Sequence, residues 1–428
     1  MKSALGALAF GLALLPALQA QQVSFTDGTS NLNFFTGTQT RSIKGQGTAA
    51  PTGPYTEVAT RITITGANNE NEVTTFTFTD FGTPVTPTGT PNSTQSTTTA
   101  RPTNTQACNN HVELCTKKYS NITNIGAHNS PFVRPGNSGS NQELDVTHQL
   151  NDGIRFLQAQ IQYPDNSTVP HFCHTTCDLL DAGPITKWLT EVRKWVDNHP
   201  YDVVTILLGN GNYSEPSAYA GYIESTGIVK YAYEAPVSPM TLDDWPTLEY
   251  LILRGKRVVM FMDYMANQTA YPWLLDEFSA MSETPFNPTN RDFPCTIQRP
   301  PDRKDSTVRD RLYLMNHNLA AEFNVFGADL LVPAVSLLNE TNADEGYGSL
   351  GLSANNCRSD WGRAPNVLNV DYYNYGNFPG SVFQVAADMN NVTYDKDCCG
   401  KVSAAAMAGP VGGLLWTVVG LVAWMALS

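Results

Sequence analysis

Asn124-Ile125-Gly126-Ala127-His128-Asn129-Ser130-Pro131 begins a stretch that continues through Gly153-Ile154-Arg155-Phe156-Leu157-Gln158-Ala159-Gln160-Ile161 and ends at Pro170-His171-Phe172-Cys173-His174. Each of these three short apolar runs leaves a polar side chain at its C-terminal end, and two of those side chains are histidines, His128 and His174. In a parallel barrel the C-terminal ends of the strands converge on one open face, so histidines distant in sequence can meet there across a substrate. Imidazole titrates near neutrality, and such a pair can divide general-base and general-acid work.

Outward from this stretch, strand-like runs fall at residues 121–127, 155–161, 169–174, 203–208, 257–262, 311–315 and 367–370. Helical periodicity separates several of them and is clearest at residues 185–198. There Ile185, Trp188, Leu189, Val192, Trp195 and Val196 fall on one face. Alternating strands and helices imply a parallel sheet with right-handed crossovers. The expected fold class is α/β, a TIM-type parallel β/α barrel with a Thr/Ser/Pro-rich N-terminal extension. Seven runs rather than eight leave an irregular or incompletely closed barrel as open as a regular one.

Several motifs also match a known family, in a fixed order. They are Gly126-Ala127-His128-Asn129-Ser130-Pro131, Leu150-Asn151-Asp152-Gly153-Ile154-Arg155, Cys173-His174-Thr175-Thr176-Cys177, Gly255-Lys256-Arg257-Val258-Val259-Met260-Phe261-Met262-Asp263 and Asn366-Val367-Leu368-Asn369-Val370-Asp371-Tyr372-Tyr373. Over residues 108–392 the chain resembles the X-type catalytic half of phosphatidylinositol-specific phospholipase C, most closely a group of secreted fungal phospholipase-C-like phosphodiesterases. The resemblance implies a phosphoric diester hydrolase acting on a phospholipid or inositol-phosphate-type substrate. One histidine would take the proton of a neighbouring hydroxyl, whose oxygen attacks phosphorus, and the other would protonate the leaving alcohol. On the matched positions His128 is the base, His174 the acid and Asp371 the carboxylate that orients a catalytic histidine. Asn129, Gln158, Gln160, Asp263 and His317 are the expected substrate-binding residues. His171, His199 and His317 also read as structural imidazoles, the last against its pocket-lining reading, which rests on its place at the end of a strand-like run. Arg155, just inside its strand, reads as half of a structural ion pair.

Two positions depart from the family. Where its calcium-dependent members carry acidic metal ligands, and its bacterial calcium-independent members an arginine, this chain has Gln158 and Gln160. Amides donate hydrogen bonds to phosphoryl oxygens but bring no charge, and Ca²⁺ is held weakly without carboxylates. No cofactor is therefore expected. Phosphoryl transfer relies on electrostatic stabilisation. A second class of function stays open for that reason: a catalytically weakened barrel that binds a phosphorylated headgroup or glycan at the cell surface or wall.

The flanks and the composition set the compartment. The chain has 428 residues, 41% of them hydrophobic, and a formal net charge of −13. A nucleic-acid partner, which needs a basic footprint, is not expected, and the barrel is expected to be a monomer. Residues 1–20 have the form of a signal peptide, with Lys2, an apolar centre and Ala17-Leu18-Gln19-Ala20. Acceptor sequons at Asn92, Asn121, Asn166, Asn212, Asn267, Asn339 and Asn391 agree with secretion. Residues 21–107 are poor in large aliphatics. Within them, 61–65 and 73–79 alternate with period two as a β-hairpin would, and 83–105 read as an extended, O-glycosylated stalk. The barrel domain is expected at 108–400. Residues 401–428 end in an apolar run, 411–427, after the small residues Ser403-Ala404-Ala405-Ala406. A GPI-attachment signal and a transmembrane helix both fit; the missing basic flank favours the first, and either anchors the protein to a membrane at the cell surface.

Eight cysteines in a secreted chain point to disulfides. Cys108 with Cys115 and Cys173 with Cys177 are close enough for local loops. Cys295 and Cys357 would staple two long loops. Cys398 and Cys399, being adjacent, are poorly placed to pair with each other.

Overall fold

The computed structural model describes residues 106–396 except 302, 326 and 327, together with residue 399 and two short paired strands, Gln22–Ser24 (β1) and Asn31–Asn33 (β2). The leader, the 61–79 hairpin, the stalk and the apolar tail expected from the sequence lie outside the described residues. Within them, no helix is long and apolar enough to cross a membrane.

The main sheet is built from β3 (Asn124–Ala127), β4 (Phe156–Gln162), β5 (His171–His174), β6 (Leu180–Pro184), β7 (Val204–Asn210), β8 (Val258–Met262), β9 (Leu275–Asp276), β10 (Met281–Glu283), β11 (Leu312–Asn316) and β14 (Val367–Val370). A separate antiparallel hairpin, β12 (Ala320–Val325) and β13 (Ala328–Pro333), follows β11. Eight strands form one parallel path in the order β10-β11-β14-β3-β4-β7-β8-β9. The two ends of the path, β9 and β10, are consecutive in the chain and joined by the single turn Glu277–Ala280. Among the described residues no ladder pairs them. The fold is an irregular TIM-type parallel β/α barrel with a seam at β9/β10.

Side chains alternate along each stave with period two. Ile125, Leu157, Ile206, Met260, Tyr313 and Leu368 face outward to the helices. The one-faced helix expected at 185–198 forms as Ile185–Asn198 and buries all six predicted residues against them. Phe156, Leu207, Phe261, Leu314 and Val367 point inward and fill the lower barrel. That interior is narrow at β3: a Cβ on Gly126 would lie 2.9 Å from Asn369 Oδ1 and 3.0 Å from Val367 Cγ1.

Six of the seven strand runs read from the sequence are staves. The seventh is a correction. The strand ending at His174 runs antiparallel to β4 and to β6, as an outgrowth of β4 rather than a stave. Only residues 163–170 separate β4 from β5, and a parallel crossover needs a dozen or more. The staves at the seam, of two and three residues, are too short to show a period.

Cys108–Cys115, Cys173–Cys177 and Cys295–Cys357 are disulfide-bonded as expected. Arg155 does form a structural pair, Nη2 to Asp202 Oδ1 at 2.8 Å. His171 Nδ1 lies 2.9 Å from Asp181, and His199 stacks on Trp195 at 3.8 Å. Of the sequons within the described residues, Asn121, Asn166, Asn267, Asn339 and Asn391 are exposed, whereas Asn212 is only 3% exposed.

Candidate active site

A cavity of about 840 Å³ opens at the C-terminal ends of the staves. His128, one residue past β3, and Asp371, one residue past β14, both point into it because β14 and β3 are parallel neighbours in register. His128 Nδ1 lies 2.7 Å from Asp371 Oδ1, and both side chains are buried. A carboxylate only accepts, so Nδ1 carries the proton and Nε2 is left as the basic atom.

His174 reaches the same cavity from the β5–β6 hairpin, inside the short loop that the Cys173–Cys177 bridge closes. Its Nδ1 meets the Thr175 hydroxyl at 3.1 Å, and its ring meets Phe132 edge-on. Burial, with His128 nearby, pushes its pKa down to about 3. Its imidazole is therefore neutral at neutral pH.

Asn129, backbone φ +49°, also lines the cavity. Gln160 does too, lying flat over Gly209; a Cβ there would come within 2.3 Å of its Oε1. Gln158 does not reach the cavity. It faces inward two residues lower on β4, so it sits about one pleat repeat deeper, where its Oε1 accepts from Asn369 Nδ2 at 2.8 Å. His317 is the second correction. It follows the inward-facing Asn316, so the alternation turns it away from the cavity. Its ring packs on Phe293 at 3.7 Å and its Nε2 donates to the Thr341 carbonyl at 2.9 Å. Burial pushes its pKa down to about 3.

Asp263 lines the opposite wall, and its acceptors are committed. Oδ1 takes the backbone N–H groups of Asn210 and Tyr264, at 2.7 and 2.8 Å, and Oδ2 takes Arg299 Nη2 at 3.3 Å. Arg299 also donates to Glu283 Oε1 at 3.1 Å and lies over the rings of Tyr264, Phe278 and Phe286. Burial works against its charge, but Glu283, Asp263 and Glu277 more than offset that and hold its pKa above the ordinary value. Burial raises the carboxyl of Asp263, and burial with Glu283 nearby raises that of the fully buried Glu277 well above the usual range. Sequence reasoning missed Arg299. It sits in a loop without periodicity, and nothing in Gln298-Arg299-Pro300 marks it. It missed Asn141 as well, whose Nδ2 donates to Asp371 Oδ1 at 2.9 Å.

No group of three or more His, Cys, Asp or Glu side chains suited to a metal ion occurs among the described residues. On the cavity wall Gln160 brings no charge, and the Asp263 oxygens are already taken. The positive charge on the described cavity wall is that of Arg299, and two carboxylates share it.

The PI-PLC X 1 family model matches residues 114–390. An uncharacterized secreted protein of Arthroderma benhamiae is 44% identical over 423 residues, 96% of this chain and 94% of that one. A PI-PLC X domain-containing protein 1 from the same fungus is 42% identical over 270 residues, 63% of this chain and 86% of its own. Among solved structures, a variant of phosphatidylinositol-specific phospholipase C from Staphylococcus aureus is 14% identical, covers 64% of this chain and 95% of its own, and has a TM-score of 0.44.

Proposed function

The chain belongs to the PI-PLC X domain family, and from that premise we propose that it is a secreted phosphodiesterase acting on a phospholipid or inositol-phosphate-type diester. The observation that carries this reading is the 2.7 Å His128–Asp371 contact with His174 facing the same cavity. His128 Nε2 takes the proton of the substrate's attacking hydroxyl, and Asp371 stabilises the imidazolium that forms. The hydroxyl oxygen bonds to phosphorus, and the P–O bond to the lipid alcohol breaks. His174 gives its proton to the departing oxygen.

His174 is neutral in the free protein, so in this scheme its ring takes up a proton from solvent as the substrate binds. A diester anion beside the ring supplies the reason, because a nearby negative charge raises an imidazole pKa. Secretion is supported by the fungal relative and by the Cys108–Cys115, Cys173–Cys177 and Cys295–Cys357 disulfides. Attachment to a membrane at the C-terminus is part of the proposal: a glycolipid near Ser403 replaces residues 411–427 in the mature protein. C-terminal peptide analysis that recovers the apolar run would decide for the transmembrane form instead.

One observation favours the second reading, a weakened barrel that binds a phosphorylated headgroup or glycan. Arg299 is neutralised by Asp263 and Glu283, and Gln160 stands where the family places a charge. Headgroup release from a panel of phospholipids, with and without Ca²⁺, separates the two when the protein is compared with His128→Ala. Turnover that this substitution abolishes supports the enzyme. Binding without turnover supports the weakened barrel.

A further inference from the structure

Asn141 is 1% exposed and comes from the loop after β3, not from a stave. The loop is fastened to the strand ends that carry the histidine and the carboxylate. Asn141 N–H donates to the Phe132 carbonyl at 3.0 Å, and the Asn141 carbonyl accepts from Tyr372 N–H at 2.8 Å. Next to it, Gln142 Nε2 donates to the His128 and Val370 carbonyls at 2.8 and 3.0 Å. Tyr372, with φ at +44°, donates its hydroxyl to the Ser140 carbonyl at 2.8 Å.

The result is a fixed amide orientation. Asn141 Nδ2 reaches Asp371 Oδ1 at 2.9 Å, the same oxygen that takes His128 Nδ1. Turning the amide over would set oxygen against carboxylate, so the donor must face Asp371. The other end bears a cost: Asn141 Oδ1 is buried and has no hydrogen-bond partner among the described residues. A buried carbonyl left without a donor is destabilising, because it loses its water partner and gains none. A residue chosen for stability alone would avoid that, and the cost is explained if the donated bond serves the site.

We propose that Asn141 is a positioning residue of the hydrolytic reaction: it pins the Asp371 carboxylate in the plane that receives His128 Nδ1, and thereby keeps Nε2 turned to the substrate. This rests on the proposed function, and the second of its two readouts does not depend on turnover. Two variants are compared, Asn141→Ala and the isosteric Asn141→Asp. If the donor matters, kcat falls about tenfold in the first and about a hundredfold in the second, with KM little changed. The isostere is the worse one because it places oxygen against Asp371. If Asn141 only fills space, the order reverses and the proposal is overturned. The parallel readout is the low-field imidazole N–H proton resonance, assigned to His128 by its loss in His128→Ala. It should be sharp in the wild-type protein and broadened by exchange in both variants. Survival of that resonance unchanged in Asn141→Ala overturns the proposal. A wild-type protein without turnover would sink the phosphodiesterase reading, while the resonance would still decide the role of Asn141.

Discussion

The two walls of the cavity carry the same residue type to opposite ends. On the β14/β3 side Asp371 faces an imidazole, which can gain and lose a proton. On the β8/β10 side Asp263 and Glu283 face a guanidinium, which cannot. The first wall is available for proton transfer, and the second is electrostatically closed. A carboxylate at a stave end is thus not by itself a functional signal; its partner decides.

The largest effect should come from the first wall. Asp371→Asn keeps the shape but loses the acceptor that fixes the His128 tautomer, and kcat should drop about a thousandfold. Steady-state kinetics with a circular-dichroism check on folding tests this, and near-normal turnover would erase the distinction between the walls. On the second wall, Arg299→Leu leaves two buried carboxylates uncompensated, so it should cost about 3–5 kcal/mol of stability. Urea unfolding measures the loss. A stable Arg299→Leu variant with lower turnover would instead make Arg299 a substrate residue.

A milder test moves charge across the cavity. Gln160→Arg uses the space above Gly209 to add a cation that no carboxylate has claimed. Turnover should rise about tenfold if electrostatic stabilisation at phosphorus is what limits the wild-type protein. An unchanged or lower rate would show that charge is not limiting.

The smallest effect lies in pH dependence, where buried groups pull in opposite directions. His174 and His317 are lowered from 6.5 to about 3 by burial. The unfolded chain binds more protons between those values, so their contribution is present above pH 6.5 and lost as pH falls toward 3. Near the seam, burial raises Asp276 from 3.8 to about 7 and Glu277 well above 4.5. The folded chain holds those protons, so that contribution is present below about pH 4 and lost as pH rises. Glu277→Gln removes one opposing group. The slope of unfolding free energy against pH between 4.5 and 6.5 should become more positive, by up to about 1.4 kcal/mol per pH unit. Denaturant titrations at several pH values read this, and an unchanged slope would mean that Glu277 is ionised in the fold.

How much the sequence disclosed follows the same division. Staves of four to seven residues announce themselves through apolar runs ending in polar side chains, and so does His128, whereas Asp371 was marked by the family motif that carries it. The hairpin nature of β5 was also legible, in the short 163–170 connection, but an apolar run alone does not show direction. Gln158 and His317 were misplaced because depth and facing depend on the register of a closed interior. Arg299 and Asn141 come from loops, where no periodicity marks a side chain. Their places are set by contacts to residues far along the chain, Glu283 and Asp263 for one, Asp371 for the other.

The buried sequon has a consequence for biosynthesis. Asn212-Tyr213-Ser214 follows β7 at the rim of the cavity, with the Asn212 side chain enclosed and Tyr213 on the cavity wall. Oligosaccharyl transfer acts on chains emerging into the secretory lumen, before this turn has closed. A sugar tree added there could not be accommodated by the finished fold, so modification and folding of this turn exclude one another. Were glycosyl transfer at this sequon faster than closure of the turn, the yield of competent protein would fall, and Asn212→Gln would then raise it.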